Sequence, residues 1–353
     1  MSSNIKEVAN LAGVSISTVS NVLSGKKGVS KGLKERVLTA CEQLDYHVNP
    51  FASGLRNNKT KSIGVVITSF DCIFFTQILK GIQDAAISVG YQVSIYQSGS
   101  DLQKEKECIN SLIKNKTDGI ILRTCADTTK SEDKEYLKRI ANLKSGDKCI
   151  PVVGLESGIA NTCIDGVGVN NFQAAYDAVT NLIQCGYRRI AHLAGPLGIE
   201  MCKQRMEGYL KALTDNSIEI NPEFIKQGDF SPMSGYSCMR DIMLASDVTA
   251  VFASNDQMAI GVIKAIKEFG KRIPEDIGVI GFDNLFISSI ISPTLSTVQV
   301  PKYQMGKESF DMLYYNITNN IHGSSRLKIL SSNIIPRQST ELRGEINWDL
   351  IGW

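Results

Sequence analysis

Apolar side chains recur at helical spacing in three short segments within the first 50 residues. They fall at Val8, Leu11 and Ala12, then at Val19, Val22 and Leu23, and then at Leu33, Val37, Cys41 and Leu44. Residues three and four positions apart share one face of an α-helix, so the pattern predicts three short amphipathic helices. Asn4, with Glu7 in capping-box register, begins the first helix, Gly13 ends it, and Ser15 and Ser30 cap the next two.

From Lys61 onward, short apolar runs alternate with amphipathic stretches. The apolar runs lie at 63–68, 91–96, 119–123, 150–155, 189–195, 250–255 and 277–283. The amphipathic stretches lie at about 75–89, 103–115, 133–144, 172–185, 203–214, 235–246, 256–269 and 302–318. This alternation predicts parallel sheets covered by helices on both faces. There are too many units for one simple sheet, so we predict an α/β fold with two doubly wound lobes and a ligand cleft between them.

The charge of the chain is unevenly distributed, although its formal net value is only +2. Residues 1–62 contain nine basic and four acidic side chains, a local charge of +5, which leaves −3 for the remainder. A basic segment joined to a mildly acidic body is typical of a nucleic-acid-binding module attached to another domain. A solvated helix with lysines placed by chance gives the same charge, so this observation alone leaves both interpretations open.

The nine cysteines form no CxxC pair and no Cys/His metal-binding spacing. The first apolar run is interrupted by Lys6, Glu7 and Asn10, which argues against a signal peptide. No apolar stretch approaches the roughly 20 residues that a membrane-spanning helix needs. We therefore expect a reduced, cytoplasmic protein without a cofactor, a metal or a membrane partner.

The segment 5–24 meets the steric requirements of a helix-turn-helix. Ala9 is small where two helices cross closely, and Gly13 suits a turn with positive φ. The outward face of the second helix carries side chains that can contact bases or phosphates, namely Ile16, Ser17, Ser20 and Asn21. A plain helical hairpin within a larger fold is the alternative interpretation.

The chain resembles the lactose-repressor/galactose-repressor (LacI/GalR) family over nearly its whole length. The first matching strings are NIKEVANLAGVSISTVSNVLSGKKGVS and KERVLTACEQLDYHVNPFASGLRNNKTKSIGVV. Further strings in the family's order are GYRRIAHLAGPLG, GDFSPMSGY, VFASNDQMAIG, IPEDIGVIGFDN and LSTVQVPKYQMGKES. The resemblance implies a transcriptional repressor that binds operator DNA.

The resemblance also implies which residues contact DNA. In the helix-turn-helix these are Ile16, Ser17, Thr18, Ser20, Asn21 and Ser30, with residues 16, 17 and 21 as the main base readers. Many relatives have Arg at the position of Asn21. Arg favours guanine and Asn suits adenine, so we expect an operator that departs from the commonest family consensus.

Residues 49–58 resemble the family's hinge helix, which orders on DNA as a pair and wedges a leucine into the minor groove. The matching leucine is Leu55, and Asn49, Ser53 and Arg56 are further candidate DNA contacts. Ser53 stands where relatives often have Arg, and Gly54 would cost about 1 kcal/mol relative to Ala inside a helix. We therefore expect this helix to depend strongly on DNA and on a closed dimer.

The expected domains are the helix-turn-helix at 1–48, the hinge at 49–60, a two-lobed ligand-binding and dimerisation domain at 61–343, and a tail at 344–353. By resemblance, the body has the periplasmic-binding-protein fold, with three crossover strands. Because the tail contains no leucine heptad, we expect a homodimer rather than a tetramer. A homodimer predicts a near-palindromic operator.

Family effectors are mostly sugars, sugar phosphates or nucleobases, and we expect a sugar or sugar derivative here. Candidate effector-binding residues are Asp71, Phe75, Lys203, Arg205, Phe230, Asn255 and Asp283. Several have alternative roles: Asn255 and Asp256 fit the cap of the helix that follows, and Phe230 fits the core. Because Cys72 and Ile73 replace an Asn-Pro common in relatives, the effector is not named by the resemblance. The sequence leaves open whether it induces or corepresses.

Three other functions are compatible with parts of the sequence. A dehydrogenase fits the alternating fold, but the string GVGVNN (166–171) lacks the third glycine of a dinucleotide-binding turn. His47, His192 and His322 have no nucleophile or acid partner in a recognisable order, so we expect no enzymatic activity. A solute-binding receptor would share the body but would need a signal peptide and no helix-turn-helix. A carbon-catabolite-type regulator whose effector is a protein stays open.

Overall fold

The computed structural model describes residues 4–23, 29–46, 60–156 and 164–341. By internal contacts the chain divides into two compact units, 1–60 and 61–353, here called the head and the body. Among the described residues, no helix is long and apolar enough to cross a membrane.

The head consists of three helices: α1 (Ile5–Ala12), α2 (Ile16–Leu23) and α3 (Lys31–Gln43). Asn4 and Glu7 form the predicted capping box at the start of α1. The Ser15 hydroxyl accepts the backbone N–H of Thr18 at 3.1 Å, as expected of the α2 cap. The buried core of the head is Val8, Ala9, Ala12, Val19, Val22, Val37, Ala40 and Cys41.

Two details of the head differ from the sequence prediction. Leu11 is 52% exposed instead of buried. At 100° per residue, the buried arc of α1 runs from Val8 through Ala12 to Ala9, and Leu11 lies beyond its edge. Ser30 precedes α3 as predicted, but its hydroxyl makes no capping hydrogen bond. Its backbone carbonyl instead accepts the N–H of Lys34 at 3.1 Å.

The body contains fourteen strands among its described residues. They are β1 (Ser62–Ile67), β2 (Gln92–Gln97), β3 (Gly119–Leu122), β4 (Lys144–Ser145), β5 (Lys148–Cys149), β6 (Val152–Leu155), β7 (Asp165–Val169), β8 (Ile190–Ala194), β9 (Ile225–Gln227), β10 (Ala250–Ala253), β11 (Gly278–Asp283), β12 (Ser296–Gln299), β13 (Leu327–Leu330) and β14 (Asn333–Ile335). The helices are α4 (Phe74–Ser88), α5 (Leu102–Lys114), α6 (Ser131–Ala141), α7 (Asn171–Gln184), α8 (Glu200–Asp215), α9 (Pro232–Ala245), α10 (Asp256–Glu268), α11 (Ile287–Ile290) and α12 (Lys302–Asn319).

Twelve of the strands form two six-stranded sheets, one in each lobe, and β4 and β5 form a separate hairpin. The sheet of the N lobe has the order β13-β7-β6-β3-β1-β2, and all its pairings are parallel. The sheet of the C lobe has the order β14-β12-β11-β10-β8-β9, with only β14 antiparallel. Central strands such as β3, β6, β8 and β10 are buried throughout, because helices cover both faces. The predicted α/β class and two-lobed body are confirmed.

The chain crosses between the lobes three times: from β7 to α7, from β12 to α12, and from β13 to β14. Every strand and helix predicted for the body is present within a few residues. The sequence prediction missed β7, β9, β12, β13, β14 and the β4–β5 hairpin, which are two to five residues long. The string 166–171, considered above as a dinucleotide-binding turn, is the end of β7 and the start of α7.

Candidate functional site

Of the six predicted DNA-contacting residues that the structure describes in the head, three are exposed and three are half-buried. Ile16 is 37% exposed, and Ser17 is also exposed. The Ser15 hydroxyl lies 2.7 Å from the hydroxyl of Ser17 and 2.9 Å from that of Thr18, so the first turn of α2 carries a linked row of hydroxyls. Such a row can donate to and accept from base edges and phosphates.

The remaining candidates in the head differ in exposure. Ser20 and Asn21 are half-buried, whereas Ser30 is exposed. Asn49, Ser53, Leu55 and Arg56 lie outside the described residues.

Arg36 of α3 fixes the turn between α1 and α2, a role that the sequence analysis missed. Its Nη2 donates to the carbonyl of Ala12 at 2.5 Å. Gly13 has φ +61°, and a Cβ built there would lie 2.8 Å from Arg36 Nη2. The guanidinium therefore satisfies the carboxyl end of α1, where a cation is favourable, and sets the path of the chain into α2.

In the body, buried charged residues of both lobes lie near one another at the boundary between the lobes. Arg123 follows β3, and its Nε lies 2.5 Å from Oε2 of Glu156, which follows β6. Arg205 of α8 and Asp283 at the end of β11 come from the C lobe. Met201 of α8 contacts both arginines: its Sδ lies 3.8 Å from Arg123 Nη2 and 4.0 Å from Arg205 Nη2.

The Arg205 side chain is fixed by contacts on several sides. Its Nε donates to Oδ1 of Asn171 at 2.9 Å, and its Nη1 donates to the carbonyl of Ser254 at 2.5 Å. The guanidinium carbon lies 3.5 Å from the centroid of the Phe282 ring, a cation–π contact. Arg205 is therefore held rigidly with one amino group directed toward Met201.

Asp283 is the second predicted residue that the structure places in the cleft. It is buried and has φ +108°. Lys302 donates to the backbone carbonyl of Asp283 and, at 2.9 Å, to that of Asn284, which fixes this strained turn. Burial raises the pKa of the Asp283 carboxyl well above its usual value; Arg205 opposes the shift, while Asp256 and Glu156 add to it.

Phe230 and Asn255 have structural contacts beside the cleft. Phe230 adopts φ +72°, and its ring packs so closely on Gly195 that a Cβ there would lie 2.5 Å away. The Asn255 side chain accepts the N–H of Met258 at 2.8 Å and donates to the carbonyl of Phe230 at 3.1 Å. The cap expected of Asn255 is thus present, and it also holds the Phe230 turn.

The other candidates lie in different surroundings. Lys203 is half-buried, 3.8 Å from the Glu200 carboxylate and 3.5 Å from the Thr128 hydroxyl of the N lobe. Phe75 is 3% exposed in the main hydrophobic core, where its ring packs edge-on against Phe74 at 5.5 Å.

Two further residues follow β1 near the lobe boundary. Asp71 is exposed, and its backbone N–H donates to the Ser69 hydroxyl at 3.1 Å. Cys72 instead reaches the C lobe, where its Sγ lies 3.5 Å from Oε1 of Gln257.

Arg123, Glu156, Met201 and Asn171 are cleft residues that the sequence analysis missed. Arg123 was part of the predicted strand 119–123, and Glu156 directly follows the predicted strand 150–155. Polar residues at the carboxyl end of a parallel strand are the signal that could have identified both. Within the described residues, no cluster of His, Cys, Asp and Glu has the makings of a metal site.

Comparisons with known protein families agree with the division into head and body. Residues 4–49 match the model described as bacterial regulatory proteins, lacI family. Residues 60–337 match the model of periplasmic binding proteins and the sugar-binding domain of the LacI family.

Individual relatives and solved structures extend these matches to nearly the whole chain. The chain is 33% identical to the HTH-type transcriptional repressor PurR of Haemophilus influenzae (strain PittEE), with 94% of this chain and 97% of the relative covered. The lac repressor dimer bound to operator and the anti-inducer ONPF has a TM-score of 0.86 at 27% identity, over 96% of this chain and 99% of that one. The transcriptional regulator CelR in complex with cellobiose has a TM-score of 0.71 at 27% identity, with the same coverage.

Proposed function

Because the chain belongs to the LacI family of bacterial regulatory proteins, and is therefore a DNA-binding transcriptional repressor, we propose that a small effector bound between its lobes controls its grip on operator DNA. The observation that carries this proposal is the convergence of buried charged residues from both lobes. Arg123 and Glu156 of the N lobe face Arg205 and Asp283 of the C lobe across Met201. A molecule that contacts both groups has different affinities for different lobe arrangements, which is what a population shift requires.

The proposal for the head is that α2 enters the major groove of duplex DNA. Ile16, Ser17, Thr18, Ser20 and Asn21 would contact base edges and phosphates, and Ser30 a phosphate. The exposed hydroxyl row at the start of α2 supports this assignment. We extend it to the hinge at 49–60, with Asn49, Ser53, Leu55 and Arg56 contacting the minor groove of a near-palindromic operator bound by a homodimer.

We further propose that the effector is a sugar or sugar derivative. Sugar sites need groups that donate and accept hydrogen bonds beside an apolar wall. Arg205, Asp283 and Asn255 offer such groups, and the Phe230 ring, which packs on Gly195, is the candidate apolar wall. The cellobiose bound by the structurally similar CelR supports a carbohydrate, and nucleobases form the comparison class in the test. Lys203, Asp71 and Phe75 stay candidates at the rim, and no reaction is assigned to the site.

A thermal-shift screen of sugars, sugar derivatives and nucleobases on the full-length protein tests the effector assignment. A ligand that binds only the folded state raises the melting temperature, by an amount that grows with its concentration over Kd. We expect a carbohydrate to be found, and Asp283→Ala to abolish its effect. Asp276→Ala is the matched control, because this carboxylate lies away from the cleft and pairs with Arg272. A stabilising ligand that acts equally on both variants would contradict the placement of the site.

A further inference from the structure

Two buried arginines, one from each lobe, direct an amino group at the same sulfur atom. Arg123 is 5% exposed and Arg205 is 2% exposed. Their Nη2 atoms lie 3.8 Å and 4.0 Å from Sδ of Met201, whose side chain is also buried. The thioether thus stands between two guanidinium groups at the boundary of the lobes.

The other donors of both arginines have oxygen acceptors. Arg123 uses Nε for Glu156, at 2.5 Å, and Nη1 for the carbonyl of Thr124, at 2.5 Å. Arg205 uses Nε and Nη1 for Asn171 and Ser254, as described above. A thioether is a weak acceptor, whereas a charged N–H group forms its strongest hydrogen bonds with anionic oxygen. Within the described part of the chain, Nη2 is therefore the poorly satisfied group of each arginine.

Met201 lies among charged groups of both lobes and near the start of a helix. Among the described residues, Glu156 is the one carboxylate within ion-pair distance of either guanidinium. Two further buried carboxylates interact with the arginines beyond ion-pair distance: Asp283 with Arg205, and Glu105 with Arg123. Met201 is also the second residue of α8. Ile199, which immediately precedes this helix, provides no side-chain cap. The amino end of this 16-residue helix carries positive potential, which Glu200 in its first turn partly offsets.

We propose that the effector carries an oxyanion, a phosphate or a carboxylate, which takes the place of Met201 Sδ and joins Arg123 of the N lobe to Arg205 of the C lobe. The Met201 side chain leaves the gap between the arginines when this group enters. An oxyanion accepts hydrogen bonds from both Nη2 groups more strongly than a thioether does. The inference rests on the proposed function and narrows its ligand class to acidic or phosphorylated sugars.

The test is the affinity of the full-length protein for oxyanions, measured by thermal unfolding and calorimetry. Inorganic phosphate is compared with chloride at equal ionic strength, and glucose 6-phosphate and glucuronate are compared with glucose. We expect each oxyanion probe to stabilise the protein and glucose to do so at least about tenfold more weakly by Kd. Glucose 6-phosphate and glucuronate distinguish a phosphate from a carboxylate as the natural group.

Two substitutions of Met201 should change the affinity for phosphate in opposite directions. Met201→Ala removes the competing side chain and tightens phosphate binding several-fold. Met201→Gln provides an amide oxygen to both guanidinium groups and weakens phosphate binding several-fold. A role of Met201 in packing alone would not reverse sign between these variants.

Arg123→Gln tests the contribution of the N lobe, because Arg123 is the N-lobe member of the arginine pair. It also leaves the charges of the head unchanged. We expect it to weaken phosphate binding at least about tenfold. Arg272→Gln, an exposed arginine paired with Asp276, is the matched control and keeps the wild-type response. Operator binding by each variant, followed by fluorescence anisotropy, verifies that the chain is folded.

The inference is overturned if no oxyanion stabilises the protein, or if Arg123→Gln and both Met201 variants respond to phosphate as the wild type does. If a neutral sugar then binds to the wild type but not to Asp283→Ala, the proposed function stands and the inference that the effector carries an oxyanion is wrong. If operator binding responds to no ligand of any class and Asp283→Ala changes no response, the proposed function fails as well.

Discussion

His192 illustrates how burial determines the chemistry of a single residue. Its ring is stacked between Tyr209 and Phe252, at centroid distances of 5.1 Å and 4.8 Å. Nδ1 lies 3.0 Å from the carbonyl of Phe252, and the buried Nε2 has no hydrogen-bond partner among the described residues. Burial, with a smaller contribution from Arg205, lowers the pKa of His192 to about 4. The side chain is therefore neutral at pH 7.

The lowered pKa of His192 predicts a defined pH dependence of stability. Below the unfolded-state pKa of about 6.5, the unfolded chain binds a proton that the folded chain excludes, so stability falls as pH decreases from about 6.5 to about 4. The loss across this window is of order 3 kcal/mol. The free energy of unfolding, measured with urea at several pH values, should depend less on pH in His192→Phe than in the wild type. An equal pH dependence in both proteins would show that His192 takes up a proton in the folded state.

Residue roles were predictable where they depended on local order in the chain. Asn255 has the expected cap, while the predicted effector-binding roles of Arg205 and Asp283, both buried, stay predictions. The roles of Arg123 and Met201 were not predicted, because they depend on a contact between the lobes. The two residues are 78 positions apart in the sequence. No periodicity within either segment encodes such a contact.

At the scale of elements, the turn between α1 and α2 depends on one glycine and one distant arginine. The sequence predicted Gly13 at this turn, since positive φ is inexpensive for glycine. It did not predict Arg36, because the carbonyl that Arg36 binds lies 24 positions away. Short strands such as β9 and β14 were missed for a related reason, since three residues show no usable alternation.

Two alanine substitutions of glycine in the head should have opposite effects. Gly13→Ala forces a left-handed conformation on alanine and places Cβ against Arg36, so we expect a loss of about 1–2 kcal/mol. Gly32→Ala meets no atom within 4 Å inside α3 and should stabilise the head by up to about 1 kcal/mol. Hydrogen exchange of peptides from the head of the full-length protein measures both. Faster exchange in Gly32→Ala, or unchanged exchange in Gly13→Ala, would contradict this account.

Asp165, at the start of β7, forms hydrogen bonds with residues of α12 and of the segment before β13. Its carboxylate accepts from Asn316 at 2.8 Å, from Ser324 at 2.7 Å and from Arg326 at 2.5 Å. Burial alone would raise the pKa of Asp165, but these hydrogen bonds, led by that from Arg326, lower it overall. The end of α12, the start of β13 and the start of β7 are thereby joined at one carboxylate.

Asp165→Asn should destabilise the body by about 2 kcal/mol at pH 7, because charge-assisted hydrogen bonds are lost at a buried site. The lowered pKa of Asp165 stabilises the folded state at pH values above the unfolded-state pKa of about 3.9. This stabilisation disappears as the pH falls through the folded-state pKa. The difference from the wild type should therefore persist to about pH 4 and shrink below it. Urea unfolding measures this, with Asp215→Asn as the control, since that exposed carboxylate pairs with Lys211 on one helix. A difference that grows in acid would contradict the prediction.

At the scale of the whole molecule, three crossings make each lobe from discontinuous parts of the chain. The described cross-lobe contacts include Arg123 with Met201, Cys72 with Gln257, Thr128 with Glu200 at 3.3 Å and Lys302 with Asn284 at 2.9 Å. One hydrophobic cluster also contains residues of both lobes. The two-lobed architecture was predictable from strand–helix alternation, and its assignment to this fold from matching strings along the chain. The contacts that hold the lobes together were not, since they depend on the relative placement of two sheets.

The central claim is that α2 reads duplex DNA and that the body governs this activity. Selection of binding sites from random duplexes, with the full-length wild type and Asn21→Arg in dilute salt, tests the claim most directly. We predict a near-palindromic site for the wild type, and a change from A·T to G·C at one symmetric pair of positions for Asn21→Arg. Recovery of no preferred duplex by either protein, with or without a stabilising ligand from the thermal-shift screen, would contradict the account.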